Sequence, residues 1–278
     1  MRDLSRDLSL LSINTATVKQ ERSLAAVIAA LAGAGIGGIA PWRDQVQATG
    51  IRESAHLIAD HGLAVSGLIR GGVFTAGGRD GFAKVLDDNR RAVDEAAGIG
   101  ARCLVLIGGG LMPASRDLPG ARALIREGIA ELLPYARAAG IKLAIEPLHP
   151  MYAADRACLN TLAEANDLCD ALGPGLGIAV DVYHVWWDPA LEREIARAGR
   201  ERVLAFHVCD WLVPTTDLLL DRGMMGDGVI DIPRIRGLVE AVGYDGAIEV
   251  EIFSERNWWR RPVDEVLQTC IERYRTVC

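Results

Sequence analysis

The sequence lacks two features that would place it at once in a well-defined class of proteins. No apolar stretch approaches the roughly 20 residues that a membrane-spanning helix needs, so we do not expect an integral membrane protein. None of its six cysteines forms a Cys-x-x-Cys pair, which argues against a zinc knuckle or a disulfide framework. We expect the cysteines to be reduced and to act mainly as small buried residues.

The sequence also has fewer basic than acidic residues. The chain has 30 Lys and Arg residues against 37 Asp and Glu residues, for a net charge of −7. This balance argues against a nucleic-acid partner or an anionic membrane surface. The first fifteen residues contain no clean apolar run suited to a signal peptide and fit the approach to a strand better, so we expect a cytoplasmic protein.

A glycine-rich phosphate loop is missing where a nucleotide-binding open sheet usually has one. The first apolar run leads into "NTATVKQERS", which contains no glycine. The three glycines at 108–110 lack the spacing and the lysine of a phosphate loop, and we interpret them as a tight turn. A doubly wound open sheet is therefore the less favoured architecture.

What the sequence does have is a regular alternation of short apolar runs with helical patterns. Helical spacing is clear in five segments: 22–35, 87–100, 121–140, 160–173 and 231–243. The apolar runs number eight: 8–14, 35–42, 63–69, 102–108, 141–147, 175–182, 202–208 and 246–253. Alternating strands and helices indicate a parallel sheet with helical crossovers. Eight such units in 278 residues predict a (β/α)8 TIM barrel that forms one domain over residues 1–278.

Each of the last four predicted strands ends at a residue that can bind a metal: Glu146, Asp181, His207 and Glu251. The carboxyl ends of barrel strands meet at one mouth, so these side chains should converge there. Three carboxylates together repel each other, and no Lys or Arg occupies an equivalent position on these strands. A lone strand-end Glu is usually a cap or a solvated residue, but four such residues on consecutive strands predict a bound divalent cation. Mixed carboxylate and imidazole ligands suit Mn²⁺, Mg²⁺, Co²⁺ or Fe²⁺ better than a closed zinc site.

Two glutamates compete for the position on the last strand. We expect Glu251 to face the barrel interior because it lies nearer the end of the strand. Glu249 is then expected to face the helical layer, where it would need a partner of its own.

At these residues the chain resembles the sugar phosphate isomerase/epimerase branch of the xylose isomerase-like barrel superfamily. The resemblance runs from "LSLLSINT" to "IEVEIF" and includes the Glu-Pro after the fifth strand and the downstream Asn160-Thr161. It implies that one metal is held by the four residues above. It also implies that His184, three residues after Asp181, contacts the substrate.

In the ketose 3-epimerases of this family, the two metal-bound glutamates transfer the proton next to the substrate carbonyl. The resemblance gives these roles to Glu146 and Glu251. It implies a metal-dependent isomerase or epimerase of a small keto-sugar or keto-polyol that acts through an enediolate, with Mn²⁺ as the first candidate metal and Mg²⁺, Co²⁺, Fe²⁺ or Zn²⁺ as alternatives.

The chain departs from those epimerases at two places. They have an arginine shortly after the strand-seven histidine, whereas here the first arginine is Arg222, fifteen positions after His207. They tend to have Asn where this chain has His149. The predicted substrate contacts are His149, His184, Arg156, Asp210 and Trp211, and Arg70 could reach a substrate anion or lie on the surface.

These departures keep other functions open. A lyase or dehydratase of a keto-sugar, keto-inositol or 3-keto-glycoside would use the same barrel, with His149 or His184 as the acid for β-elimination. A DNA-repair endonuclease of this fold needs more histidines than the five present and a basic surface. A non-catalytic barrel is disfavoured by the complete ligand set. The tryptophans near the mouth, such as Trp186 and Trp259, could stack on a sugar or form a helix-packing or homo-oligomer patch.

Overall fold

The computed structural model describes residues 1–112 and 114–278, and within these ranges nine parallel strands form a nearly closed barrel. The order around the barrel is β3-β2-β1-β11-β8-β7-β6-β5-β4. The strands are β1 Leu11–Asn14, β2 Gly38–Ala40, β3 Ala64–Val65, β4 Leu68–Gly72, β5 Cys103–Ile107, β6 Lys142–Ile145, β7 Leu176–Asp181, β8 Val203–Val208 and β11 Ile248–Val250. The remaining two strands, β9 Asp210–Trp211 and β10 Arg222–Gly223, pair as a small antiparallel hairpin. The predicted TIM barrel is confirmed.

The helices surround the barrel. In the described ranges they are α1 Leu24–Gly33, α2 Arg43–Thr49, α3 Ile51–Asp60, α4 Gly78–Gly98, α5 Leu118–Ala138, α6 Leu162–Leu172, α7 Val182–Val185, α8 Leu191–Arg202, α9 Ile232–Ala241 and α10 Val263–Thr276. The Asn-Thr signal before α6 is a capping box, because Thr161 and Glu164 each bond the other's backbone N–H. No helix of the described chain is long and apolar enough to cross a membrane. All six cysteines are free and buried.

One predicted strand is broken in two. The run 63–69 becomes β3, which pairs with β2, and β4, which pairs with β5. The barrel closes across the break through a parallel bridge between Trp42 and Ile69, with the Ile69 N–H donating to the carbonyl of Pro41 at 3.0 Å. The two residues at the break are Ser66 and Gly67, and the side chain of Ser66 enters the barrel.

Alternation along the strands divides the core into two layers. Large apolar side chains, such as Ile13 and Phe206, pack between the strands and the helices. The barrel interior contains mainly smaller side chains: Ala40, Ile69, Cys103, Val105, Ala144, Ala179, Leu204 and Ala205. These residues fill the barrel below its mouth. On several strands, polar residues follow them toward the carboxyl end of the strand.

Three loops at the mouth are in backbone contact. Val73 and Phe74, after β4, donate to the carbonyls of Ile107 and Gly108 at 2.7 and 2.9 Å. Cys158, after β6, donates to the carbonyl of Gly109 at 2.8 Å. Gly109 has a φ of +104°, and a Cβ there would lie 2.3 Å from Oγ1 of Thr75. The glycine turn therefore lets the loops after β4, β5 and β6 pack together.

Candidate metal centre

The four predicted ligands meet at the mouth of the barrel. Glu146 follows β6, Asp181 ends β7, His207 lies on β8 and Glu251 follows β11. One ligand atom from each lies within 4.8 Å of the others, and all four residues are buried. Asp181 lies opposite His207 in the strand register, which sets the two side chains side by side. Consecutive strands of a closed barrel thus bring distant residues of the sequence to one point.

The cluster is electrostatically strained in the absence of a further positive charge. Burial raises the pKa of Asp181, and it raises the pKa of Glu251 to about 8, with the neighbouring carboxylates adding to both effects. Burial would lower the pKa of His207, but Glu249, Glu146 and Glu251 together raise it well above its usual value. Nδ1 of His207 lies 3.2 Å from Oε1 of Glu146 and faces the cluster.

A cation reaches the cluster from an unexpected part of the chain. Nη1 of Arg222 lies 3.2 Å from Oδ2 of Asp181 and 3.1 Å from Oε2 of Glu251. Its guanidinium carbon lies 4.4 Å from the ring centre of Tyr183 and 4.9 Å from that of Phe253. Nothing in the sequence indicated that Arg222 reaches the cluster, because the hairpin of β9 and β10 folds the chain back over the mouth. The four strands that carry the ligands have no Lys or Arg at an equivalent position, so the arginine of the site comes from this hairpin.

The charges of the cluster fit a divalent cation. With Glu249 included, the four buried carboxylates contribute −4 when ionised, and Arg222 and a protonated His207 contribute +2, which leaves −2. A buried excess of this size is costly unless a cation compensates for it. Three carboxylate oxygens and one imidazole nitrogen are also suitable ligands for such an ion.

Glu249 lies inside the barrel, and the expectation that it faces the helical layer is wrong. Residues two apart on a strand project to the same side, so Glu249 and Glu251 share the inner face. Nδ2 of Asn14 donates to Oε1 of both glutamates, at 3.0 and 2.9 Å. Ser66 Oγ donates to Oε2 of Glu249 at 2.8 Å. Nε2 of His207 has no hydrogen-bond partner among the described residues, and Oε1 of Glu249 is 3.6 Å from it.

Both predicted substrate histidines lie beside the cluster. His184 is 2% exposed, and its Nδ1 accepts the backbone N–H of His149 at 3.2 Å. A neutral His184 therefore carries its proton on Nε2, which lies 3.6 Å from Oδ2 of Asp181. Nη2 of Arg222 lies 3.3 Å from Nε2 but is itself a donor, so these two nitrogens form no hydrogen bond in this tautomer. Burial, and then the charge of Arg222, lower its pKa well below the usual value. Burial also lowers the pKa of His149.

The aromatic residues at the mouth form a wall next to these histidines. Trp211 stacks on Tyr183 with ring centres 4.8 Å apart and lies 5.0 Å from the ring of His149. Trp186 lies 5.8 Å from Trp211. By contrast, Trp259 donates its indole N–H to the carbonyl of Ala16 at 2.7 Å and is a packing residue.

Two further predicted substrate contacts, Arg156 and Asp210, have different neighbours: an aromatic ring and backbone N–H groups, respectively. The guanidinium carbon of Arg156 lies 5.6 Å from the ring centre of Tyr152. Asp210 is 1% exposed, and its carboxylate accepts the backbone N–H groups of Trp211, Gly226 and Ile230 at 2.9–3.0 Å. These bonds fix the "GDGVID" loop, so the structure gives Asp210 a loop-shaping contact, and its predicted substrate contact stays a prediction.

Comparison with known proteins agrees with this architecture. Residues 28–273 match the family model described as xylose isomerase-like TIM barrel. The inosose isomerase of Halalkalibacterium halodurans is 23% identical over 145 residues, which cover 51% of this chain and 49% of that protein. The L-ribulose-5-phosphate 3-epimerase UlaE of Shigella flexneri is 26% identical over 192 residues, which cover 68% of this chain and 62% of that protein. The matches thus span about half to three fifths of these curated relatives.

Solved structures extend the likeness over nearly the whole chain. The crystal structure of protein SMc04130 from Sinorhizobium meliloti 1021 has a TM-score of 0.96 and 58% identity, covering 98% of this chain and 99% of that one. A crystal structure of the IOLI protein with a bound zinc atom has a TM-score of 0.81 at 16% identity, covering 94% of this chain and 95% of that one. The second likeness is one of fold alone.

Removal and return of the metal should reveal coupling to protons. Because the metal-free pKa of Glu251 is about 8, this carboxyl group is largely protonated at pH 7, and an incoming cation must displace its proton. For each proton displaced, we expect the affinity of metal-free protein for Mn²⁺ to fall by up to about tenfold per pH unit between pH 8 and pH 6, and His207, with its raised pKa, is a second source of such a proton. Calorimetry in buffers of different ionisation enthalpy will count the released protons. An affinity independent of pH over this range would contradict the assignment.

Replacing Glu249 with Gln should weaken metal binding although Glu249 is not among the four ligands. The carboxylate lies beneath His207 and shares Asn14 with Glu251, so its loss should leave both ligands less well oriented. We expect Glu249→Gln to lower Mn²⁺ affinity about 10- to 100-fold. Glu194→Gln is the matched control, since Glu194 is a buried glutamate on α8, paired with Arg193 and away from the mouth. Equal affinities for wild type and Glu249→Gln would refute the role.

Proposed function

Because the chain belongs to the xylose isomerase-like TIM barrel family, we propose that it is a divalent-metal-dependent isomerase or epimerase of a small keto-sugar or keto-polyol. The observation that carries the proposal is the convergence of Glu146, Asp181, His207 and Glu251 at the barrel mouth. The names of the inosose isomerase and the ribulose-phosphate epimerase among its relatives support the same reaction class.

The four converging residues would hold the metal, with Mn²⁺ as the first candidate. When bound, a divalent cation supplies Lewis acidity that polarises a carbonyl and stabilises charge developing on its oxygen. In the proposed chemistry, Asp181 and His207 bind the ion and do nothing else. The proposal gives Glu146 and Glu251 a second task in addition to metal binding.

Glu146 and Glu251 are the proposed proton carriers. They come from β6 and β11, which β7 and β8 separate in the barrel, so they approach the centre from different sides. One removes the proton next to the substrate carbonyl to give an enediolate, and the other returns a proton from the opposite face. Asn14 and Arg222 hold the carboxylate of Glu251 by hydrogen bonds at 2.9 and 3.1 Å, which fixes its direction.

Arg222 and His184 complete the polar side of the pocket. Nη2 of Arg222 and Nε2 of His184 lie 3.3 Å apart, next to Asp181. Both can donate to an oxygen of the substrate, and Arg222 thereby supplies the guanidinium that the sequence comparison did not find near His207. Trp211 and Tyr183 offer flat faces on which the C–H face of a sugar can stack.

The alternative is a lyase or dehydratase of a keto-sugar, keto-inositol or 3-keto-glycoside. It rests on His149 and His184, which lie in contact beside the cluster and could protonate a leaving group. Burial lowers the pKa of both, so both are neutral near pH 7. A neutral imidazole is a weak acid, and this favours the isomerase or epimerase.

Deuterium incorporation tests the proposal. Metal-loaded protein incubated with a panel of keto-sugars in D₂O should place deuterium next to the carbonyl without changing the composition of the sugar. Glu146→Gln and Glu251→Gln should each lower kcat more than tenfold with metal still bound, a barrier change above about 1.4 kcal/mol. Either variant could retain exchange without turnover, which would identify the first base. Glu131→Gln, on the exposed face of α5, is the control and should leave kcat unchanged.

Two outcomes would change the conclusion. Loss of water or of an aglycone in place of isomerisation would show the lyase. A Gln variant that binds metal and keeps more than about a tenth of the wild-type kcat would exclude that glutamate as a proton carrier, and the role would pass to His149 or His184.

A further inference from the structure

Two arginines at the barrel mouth differ from the other partly buried arginines of the chain. Among the described residues, nine arginines are partly buried, and seven of them form ion pairs with carboxylates: Arg2, Arg43, Arg90, Arg122, Arg202, Arg261 and Arg273. The fully buried Arg222 and Arg236 also have carboxylate partners. Within the described ranges, the guanidinium groups of Arg70 and Arg156 have neither a hydrogen bond nor a carboxylate within 4.0 Å.

Such an arrangement needs a physical reason. Guanidinium groups that lose part of their hydration are normally compensated by acceptors, and bidentate pairing with a carboxylate or phosphate is the favoured form. Among the described residues, the contacts given for the guanidinium groups of Arg70 and Arg156 are with aromatic rings. The guanidinium carbon of Arg70 lies 5.7 Å from the ring centre of Trp42, and that of Arg156 lies 5.6 Å from Tyr152. Their hydrogen-bond donors are left available for a ligand.

Each arginine is linked to the surroundings of the metal cluster through the aromatic ring that it contacts. Trp42, under Arg70, donates its indole N–H to Oδ1 of Asn14 at 2.8 Å, and Asn14 in turn holds Glu251. Tyr152, under Arg156, lies 6.0 Å from the ring of His184. Each arginine is therefore separated by only one or two side chains from a residue of the proposed site.

The loops that carry the two arginines are neighbours. Arg70 lies on β4, and Val73 three residues later packs against Ile107, Tyr152 and Ala157 in one small apolar cluster. Ala157, next to Arg156, pairs with Gly109 in a parallel bridge. The charges also act on each other: burial lowers the pKa of Arg70, Glu146 and Glu251 oppose this, and Arg156 adds to it. Two like charges are thus held near enough to act on each other.

There is room for a ligand group beside Arg70. A cavity of about 490 Å³ is bordered by Arg70, Gly71, Gly72 and the exposed Lys84. Its other charged residues, Arg43 and Asp88, pair with each other at 2.9 Å. The cations left without a partner in its wall are Arg70 and Lys84, as far as the described residues show. The volume lies in the range of small-molecule sites.

We propose that Arg70 and Arg156 bind an anionic group of the substrate, a phosphate or a carboxylate, while the keto end lies at Glu146 and Glu251. The substrate class is then an anionic keto-sugar, either a ketose phosphate or a keto-sugar acid. The assignment of the keto end rests on the proposed function, whereas the anion site rests on the two arginines alone.

Binding of small fragments by the full-length protein tests the anion site. The probes are glycerol 3-phosphate, glycerate and uncharged glycerol, measured by calorimetry on metal-free and Mn²⁺-loaded protein. At least one of the two anions should bind more tightly than glycerol. Arg70→Gln and Arg156→Gln should each weaken that binding by about tenfold or more, because each removes a charge-assisted hydrogen bond. Arg52→Gln, an exposed arginine on α3, is the matched control and should leave it unchanged.

The two arms distinguish the sources of the anion. Tighter binding of glycerol 3-phosphate indicates a ketose phosphate, and tighter binding of glycerate indicates a sugar acid. Anion affinity that is the same in wild type, Arg70→Gln and Arg156→Gln, or no greater than that of glycerol, would overturn the proposal. Arginine-dependent binding to metal-free protein would uphold the anion site even if the metal-dependent reaction were disproved. Circular dichroism of each variant establishes that it is folded.

Discussion

The burial of like charges at the mouth of the barrel is the constraint on which the rest of the site depends. Glu146, Asp181, Glu249 and Glu251 all lie within the same interior, each 7% exposed or less. Charges removed from water in this way must be compensated, and the described part of the chain supplies Arg222, the imidazole of His207 and neutral donors such as Asn14. The ligand geometry, the raised pKa values of Asp181 and Glu251 and the fit to a divalent cation are all consequences of this one arrangement.

The barrel tolerates the arrangement because its interior is built in layers. Small side chains such as Ala144 and Ala179 fill the lower part, and the residues two positions further along the same strands are Glu146 and Asp181. Glu249 forms an intermediate polar layer with Ser66 and Asn14 beneath His207. The outer faces of the same strands pack on the helices, so the positions of the ligands are coupled to the core of the whole protein. At the rim, Arg70 and Arg156 add positive charge at a distance from the cluster.

The sequence predicted the parts of the molecule that follow from periodicity. Strand and helix alternation predicted the barrel, and a polar residue near the end of each of the last four apolar runs predicted the four residues that converge. Glu249 could have been placed as well, because residues two apart on a strand face the same side. Arg222 could not, because its approach depends on a hairpin between β9 and β10 that leaves no periodic signal. The break at Ser66 was hidden within an apolar run, and the loop contacts of Asp210 depend on backbone groups that sequence patterns do not report.

The central claim is that these four strand ends form a metal site, and diffraction tests it most directly. Crystals of the full chain grown with Mn²⁺ should show a single strong anomalous peak in contact with Glu146, Asp181, His207 and Glu251. Data collected above and below the manganese absorption edge identify the element and exclude a water or another ion. A fully ordered site without such a peak, with Arg222 still bonded to Asp181 and Glu251 as the only cation, would contradict the account.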